Sequence, residues 1–367
     1  MRGAAAPPGP HPPAQSTNVL AAALVAGNAV LYKPSELTPR TGALLATCFA
    51  AAGLPKGLLQ VVPSARSYGA PLAAAKGVAM FCFTGSTATG RRAGQAAHRA
   101  GTPRVALELG GKDAAYVRAD VGDVAAAAAA LADGAFYNSG QSCCSVERVY
   151  VHTEVYDAFL AAFCAAVAGF RVGHPALDSA AYITPLARGG AAFQVLQAQL
   201  DDALAKGARI AHRTPAERLP ARAAAGPPRA PRPGVGLDPA QRGAPVPVYF
   251  PPTVLVDVDH SMSVMRDESF GPLIGIQRVS SDGEAAALMD DSSYGLTAAV
   301  YSADEAAATA ILRSLTVGTA YWNACDRVSP RTPWSGRRDS GVGCTLGEEG
   351  LRAFTQPKAF HFVTPAK

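Results

Sequence analysis

VAMFCFTGSTATGRRAGQAAHRAGTPRVALELGG, residues 78–111, decides the fold. It opens on an apolar run, VAMFCFTGS, that reads as a buried strand. A glycine-bearing turn leads into ATGRRAGQAAHRA, which reads as a helix, and RVALELGG follows as the next strand. The same alternation runs outward in both directions. Upstream, NVLAAALVAG is a helix from Thr17 stopped by Gly27-Asn28. Then come the strand AVLYKPS, a helix over residues 39–52, the strand LLQVVPS and a short helix near Leu72 to Ala75. Downstream lie an Ala-rich helix over residues 120–137, the loop FYNSGQSCCSVERV (136–149) and the strand VYVHTEVY. The helices YDAFLAAFCAAVAGF and residues 191–208 follow, and later TAAVYS, DEAAATAILRS and GTAYWNACD continue the pattern. Strands and helices alternating at these lengths predict an α/β fold, a parallel sheet with helices on both faces. That is an architecture common among nucleotide-binding proteins, but a fold alone does not establish a function.

Composition narrows the classes. The chain has 367 residues and a net charge of +5, and much of its Arg excess sits in one Pro-rich segment. No patterned basic face results, so no nucleic-acid partner is expected. Seven cysteines, an odd number, are scattered with no disulfide framework and no paired CxxC spacing. The expectation is a reducing compartment, the cytoplasm ahead of an organelle, with no metal site. The longest early apolar run, VLAAALVAGNAVLY, is broken by Gly and Asn and is short of the roughly 18 residues a membrane span needs. Residues 1–16 are Pro-rich without helical period and read as a disordered leader. Residues 213–246, rich in Pro, Ala, Arg and Gly, read as a disordered surface insertion.

The chemistry centres on the 136–149 loop. Cys143 and Cys144 stand behind a Gly-Gln pair, between a helix and a strand, where a nucleophilic thiol is readily presented. A buried, inert cysteine is the plain alternative, because free cysteine is among the most buried residue types. The order of the motifs YKPSE, FTGSTATG, LELGGK, NSGQSCC, ESFGPL and PWSGRRDSG then resembles that of the aldehyde dehydrogenase superfamily, from about Asn18 to the C-terminus apart from the Pro/Arg insertion.

The resemblance implies an aldehyde-dehydrogenase-like fold: an incomplete Rossmann-type cofactor domain over 17–109 and an α/β catalytic domain over 110–345. Residues 346–367 would add a C-terminal edge strand, AFTQPKAFHFV, of the kind that joins subunits, so a homo-oligomer is expected. It implies NAD-dependent oxidation of an aldehyde to a carboxylic acid, NADP being the alternative cofactor. Cys143 is implied as nucleophile and Glu108 as the base that activates water for thioester hydrolysis. Lys33 and Glu36 match positions that hydrogen-bond the adenosine ribose, and a carboxylate there suits NAD. Gly85 and Ser86 match the turn that meets the pyrophosphate. Glu268 and Phe270 match the pair at the nicotinamide ribose and ring, and residues 323–336 would sit near the substrate mouth.

The departure from the family pattern is at the front. Members normally carry a further N-terminal stretch whose Trp-Asn-Tyr/Phe-Pro motif donates to the oxyanion, and that asparagine falls at Pro10 here. One oxyanion donor is worth about 10²–10³ in turnover. The chain thus reads as an N-terminally truncated member. The alternative to an active dehydrogenase is an impaired relative that serves only as a binding or assembly partner. A cysteine hydrolase using Cys143 and His152 is the third reading.

Overall fold

In the computed structural model, residues 78–84 show why the opening stretch is decisive. The strand Val78–Thr84 points Met80 and Cys82 into one apolar cluster, with Val19, Leu20, Val30, Tyr32 and Ala106, and Phe81 into another, with Ala73, Ala93 and Ala97. A period of two with apolar residues on both faces is what a strand covered on both sides requires. The structure describes residues 3–6, 12–64, 68–220 and 247–363. They fall into two compact units, Met1–Leu109 with Val328–Gly336 and Gly341–Lys367, and Gly110–Arg327 with Arg337–Ser340.

The first unit is built on a six-stranded sheet. In spatial order its strands are Gly341–Val342, Arg104–Glu108, Val78–Thr84, Gly3–Ala6, Ala29–Tyr32 and Leu59–Val61. All pairs are parallel except that of Gly341–Val342 with Arg104–Glu108. Residues 3–6 correct the expectation of a disordered leader. GAAA forms a strand that pairs with Ala29–Tyr32 on one side and Val78–Thr84 on the other. The proline content of the flanking residues hid a short apolar run whose backbone donors and acceptors are satisfied only by strands far along the chain. The following helix also begins early, at Pro12 rather than Thr17. Proline at the first helical position loses nothing, since its missing N–H would have had no intrahelical partner.

The second unit holds a seven-stranded sheet. Its order is Thr319–Trp322, Thr297–Tyr301, Asp113–Val117, Val146–His152, Leu273–Val279, Thr253–Val256 and Arg209–Arg213. Only Arg209–Arg213, at one edge, runs antiparallel to its neighbour. One face buries Val149, Val151, Ile274 and Ile276 against the helices Val124–Phe136 and Tyr156–Gly169, and the other buries Tyr150, Leu273 and Met265 with Leu196 and Leu200. The helix expected over 120–137 begins at Val124, because the Asp123 carboxylate caps it by accepting from the Ala126 N–H at 2.9 Å.

Two further expectations change. The start of the predicted insertion is ordered: His212 and Arg213 belong to the edge strand Arg209–Arg213, and Ala216–Arg218 forms a short turn of helix. Residues 221–246 lie outside the described residues. Among the described residues the C-terminal stretch forms no strand. Residues 355–363 join no ladder; instead the exposed rings of Phe360 and Phe362 stack 5.9 Å apart with Lys358 over Phe360. Apolar residues at alternate positions satisfy the pattern of a strand, but a strand also needs a partner edge, and Pro357 offers no N–H.

Candidate active site

In the second unit the helix Val124–Phe136 runs into Tyr137–Gly140, where Asn138, Ser139 and Gly140 take φ of 50°, 61° and 68°. Successive left-handed residues reverse the chain sharply, and only short polar side chains or glycine adopt them readily. Gly140 is required, since a Cβ would stand 2.4 Å from the Gly271 carbonyl oxygen. Side chains then fasten the turn. Asn138 Nδ2 donates to the Gln141 carbonyl at 3.0 Å, the Thr184 N–H donates to Ser139 Oγ at 2.8 Å, and the Ala187 N–H donates to Gln141 Oε1 at 2.7 Å.

The two adjacent thiols are thereby placed in different surroundings. Cys143 is partly exposed. Cys144 is buried, and its Sγ donates to Asp326 Oδ1 at 2.8 Å. Its hydrogen bond with Cys143, together with burial, pushes the Cys144 thiol well above the usual range. Gly111 backs the loop: a Cβ there would come 2.4 Å from the Cys143 carbonyl oxygen, a backbone atom that cannot swing aside. Gly111→Ala is therefore expected to destabilise the protein by about 1–3 kcal/mol and to change the alkylation rate of Cys143, read by mass spectrometry beside denaturant unfolding.

Glu268 lies in the same unit. Its Oε1 accepts from the Gly111 N–H at 3.3 Å, and Gly110 leaves room for the carboxylate, since a Cβ would sit 2.5 Å from that oxygen. Gln199 Nε2 holds the Asp267 and Glu268 carbonyls at 3.2 and 3.3 Å. Burial, then the charge of Glu147, raise the Glu268 carboxyl to about 7. Folding therefore favours the protonated acid, a contribution complete below the ordinary glutamate value and lost as pH rises through about 7. Glu268→Gln carries no such proton. Its melting temperature relative to wild type is expected to rise between about pH 5 and about pH 9, as calorimetry at the two values will show.

In the first unit, three strands that run parallel in one sheet, with Gly3–Ala6 between the first two, bring the remaining candidates to one end of it. Ala29–Tyr32 leads into Lys33, Val78–Thr84 into Gly85-Ser86, and Arg104–Glu108 ends on Glu108. Ligands of open α/β sheets bind outside these carboxyl ends. Lys33 is buried, with its Nζ 3.7 Å from Glu36, whose side chain is 43% exposed. Ser86 is the extended N-cap of the helix Thr87–Arg99, yet its Oγ donates to Thr89 Oγ1 at 3.0 Å rather than capping a backbone N–H. No acid lies in the first turn of this helix. An uncapped positive end of this kind suits a phosphate. The Gly85 N–H donates to the Glu108 carbonyl at 3.0 Å, tying the turn to the adjoining strand. Glu108 keeps part of its side chain accessible, yet burial of its carboxyl raises it to about 8 against an opposing hydrogen bond from Trp334.

Residues 10–226 and 234–360 match the model of the aldehyde dehydrogenase family. The chain belongs to this family. It is 37% identical over 342 residues to a 4,4'-diapolycopene aldehyde oxidase of Methylomonas sp, an alignment covering 92% of this chain but only 57% of that relative. An indole-3-acetaldehyde dehydrogenase in complex with NAD+ superposes with a TM-score of 0.84 at 28% identity, over 96% of this chain and 66% of the other. A glyceraldehyde-3-phosphate dehydrogenase from Bacillus halodurans, NADP-dependent and complexed with NADP, does so with a TM-score of 0.81 at 32% identity, over 96% and 67%.

Three further residues of the second unit have defined surroundings. Asn323 turns both ends of its amide to the Ser302 backbone, accepting from its N–H at 3.0 Å and donating to its carbonyl at 2.9 Å, so the side chain braces the strand end. Arg327, largely exposed, pairs with Asp133 at 3.7 Å. His152 ends the strand that Cys143 precedes, about 20 Å along for its seven residues, and its Nδ1 accepts from the Glu154 N–H at 3.3 Å. That separation removes the cysteine–histidine hydrolase. Pro10 lies outside the described residues. Among the described residues no His/Cys/Asp/Glu cluster could hold a metal, and no helix is long and apolar enough to cross a membrane.

Four residues have partners that no motif spacing shows, although Lys112 and Trp334 lie within LELGGK and PWSGRRDSG: Trp334 at Glu108, Asp326 at Cys144, and the buried pair Lys112 and Glu147, 2.7 Å apart. The last pair leaves a signal, since Glu147 and Arg148 are consecutive charges inside an otherwise apolar strand. Arg148 proves to be satisfied by carbonyls, including those of Lys112 at 2.9 Å and Met289 at 3.0 Å.

Proposed function

We propose that this chain oxidises an aldehyde to a carboxylic acid with NAD, or with NADP in its place, through a covalent adduct on Cys143. The observation that carries the reading is the asymmetry of the two thiols: Cys143 is accessible on a fastened loop, while Cys144 is buried and committed to Asp326. Attack by the Cys143 sulfur on the carbonyl carbon would form a C–S bond and move the C=O pair onto oxygen, giving a thiohemiacetal. The dinucleotide, when bound, supplies the acceptor for the hydride leaving that carbon, so that a thioester remains on Cys143. Glu108, held near neutrality by burial, would take a proton from water. The water oxygen adds to the acyl carbon, the C–S bond breaks, and the acid leaves with the Cys143 sulfur restored.

The first unit's donor set fits the dinucleotide. The uncapped start of Thr87–Arg99 with Gly85 and Ser86 would take the pyrophosphate, and Lys33 and Glu36 the adenosine ribose. The Glu36 carboxylate would repel a 2′-phosphate, which favours NAD. Glu268 and Phe270 would take the nicotinamide ribose and ring. The test is aldehyde-dependent NADH or NADPH formation across a panel of aliphatic, aromatic and hydroxylated aldehydes. Absence of signal with every aldehyde and both cofactors would overturn the reading.

A further inference from the structure

Glu147 occupies an irregular point in its strand. Asp113 pairs with Val146 but Ala114 pairs with Arg148, so the register shifts by one and Glu147 is the extra residue. A bulge of this kind re-aims a side chain out of the normal alternation. The re-aimed carboxylate is buried, and each of its oxygens is engaged. Oε1 accepts from the Phe270 N–H at 2.8 Å, and Oε2 from the Ser269 N–H at 2.8 Å and from Lys112 Nζ at 2.7 Å. Lys112 Nζ in turn donates to Ser269 Oγ at 2.9 Å. Phe270 has φ of 49°, a left-handed conformation that a bulky side chain keeps only when its surroundings enforce it.

We propose that Glu147, fixed by Lys112, is a positioning residue for the cofactor-facing loop, holding the backbone of residues 269–270 so that Glu268 and Phe270 meet the nicotinamide half of the dinucleotide. The proposal rests on the dehydrogenase reading. Stability alone does not account for the pair, because a buried ion pair is often no more stabilising than apolar residues of the same volume. What the pair does is local: one carboxylate takes two consecutive N–H groups of the loop that carries Glu268. The chain connects the clamp to the nucleophile as well. Lys112 follows Gly111, which backs the Cys143 carbonyl, and Glu147 lies in the strand that leaves the Cys143 loop.

The test compares wild type, Glu147→Gln, Glu268→Gln and the double variant, by calorimetric titration with NAD and by hydrogen exchange at the Ser269 and Phe270 amides. Glu147→Gln is expected to weaken NAD binding by about ten-fold or more, the worth of a lost charge-assisted hydrogen bond, and to speed exchange at both amides. The double variant is expected to bind no more weakly than the weaker single variant, because Glu147 acts on the cofactor only through the loop that carries Glu268. Unchanged exchange at the two amides, effects that multiply in the double variant, or a lower melting temperature with unaltered NAD affinity would each overturn the proposal. Wild-type protein that binds neither NAD nor NADP overturns the dehydrogenase reading itself and the positioning role with it. A wild type that binds while Glu147→Gln binds equally well overturns only the positioning role. Should the buried Lys112 ammonium stop Glu147→Gln from folding, the uncharged pair Lys112→Met/Glu147→Gln makes the same comparison.

Discussion

Replacing Cys143 by alanine is expected to remove aldehyde-dependent NAD(P)H formation, lowering turnover by about 10⁴-fold or more, as deletion of a nucleophile does elsewhere. Cys144→Ser is expected to keep most of the activity. Its hydroxyl can still donate to Asp326, and the buried Cys144 sulfur, pushed well above the usual thiol range, is a poor source of thiolate. The pair of variants therefore separates the two neighbours, which share a motif and differ in burial. Initial rates decide the matter, supported by peptide mass spectrometry of the alkylated 136–149 loop. Equal losses in both variants would show that the loop, and not one sulfur, had been damaged.

Glu108→Gln is expected to lower turnover by about 10²–10⁴-fold, the usual worth of a general base, and to let an acyl-enzyme accumulate that intact-protein mass spectrometry can detect. The pH profile gives the sharper result. With its carboxyl near 8, Glu108 is mostly protonated at neutral pH and gains its basic form as pH rises. Wild-type turnover should therefore climb through about pH 8, and the Gln variant should lack that limb. Trp334→Phe provides a control on the sign. The hydrogen bond from Trp334 favours the carboxylate, so its loss should move the limb to higher pH. A limb that stays in place in Glu108→Gln would assign it to another group.

The local form of the candidate site is legible in the sequence because each candidate residue lies in a short run of neighbouring residues. Gly85 and Ser86, Glu108, Cys143, and Glu268 with Phe270 each sit in a motif whose local form follows from the residues beside it. The turn at Tyr137–Gly140 is such a case, since Asn, Ser and Gly are residues that accept left-handed φ. What motif reading passed over were the partners. Trp334 is far from Glu108 along the chain, and Asp326 is 182 residues from Cys144, so no spacing links them. The bracing of Asn323 is of the same kind, its amide being taken up by the Ser302 backbone, 21 residues away.

The sequence by itself determined the α/β alternation, the apolar faces of the strands and the family to which the chain belongs. Those properties depend on periodicity and on contacts a few residues apart, and one chain states them fully. The tertiary structure alone decided that residues 3–6 complete a sheet, that residues 355–363 join no strand among the described residues, and that a bulge turns Glu147 toward residues 269–270. A strand needs a second strand, and a buried charge needs a partner that only folding brings near.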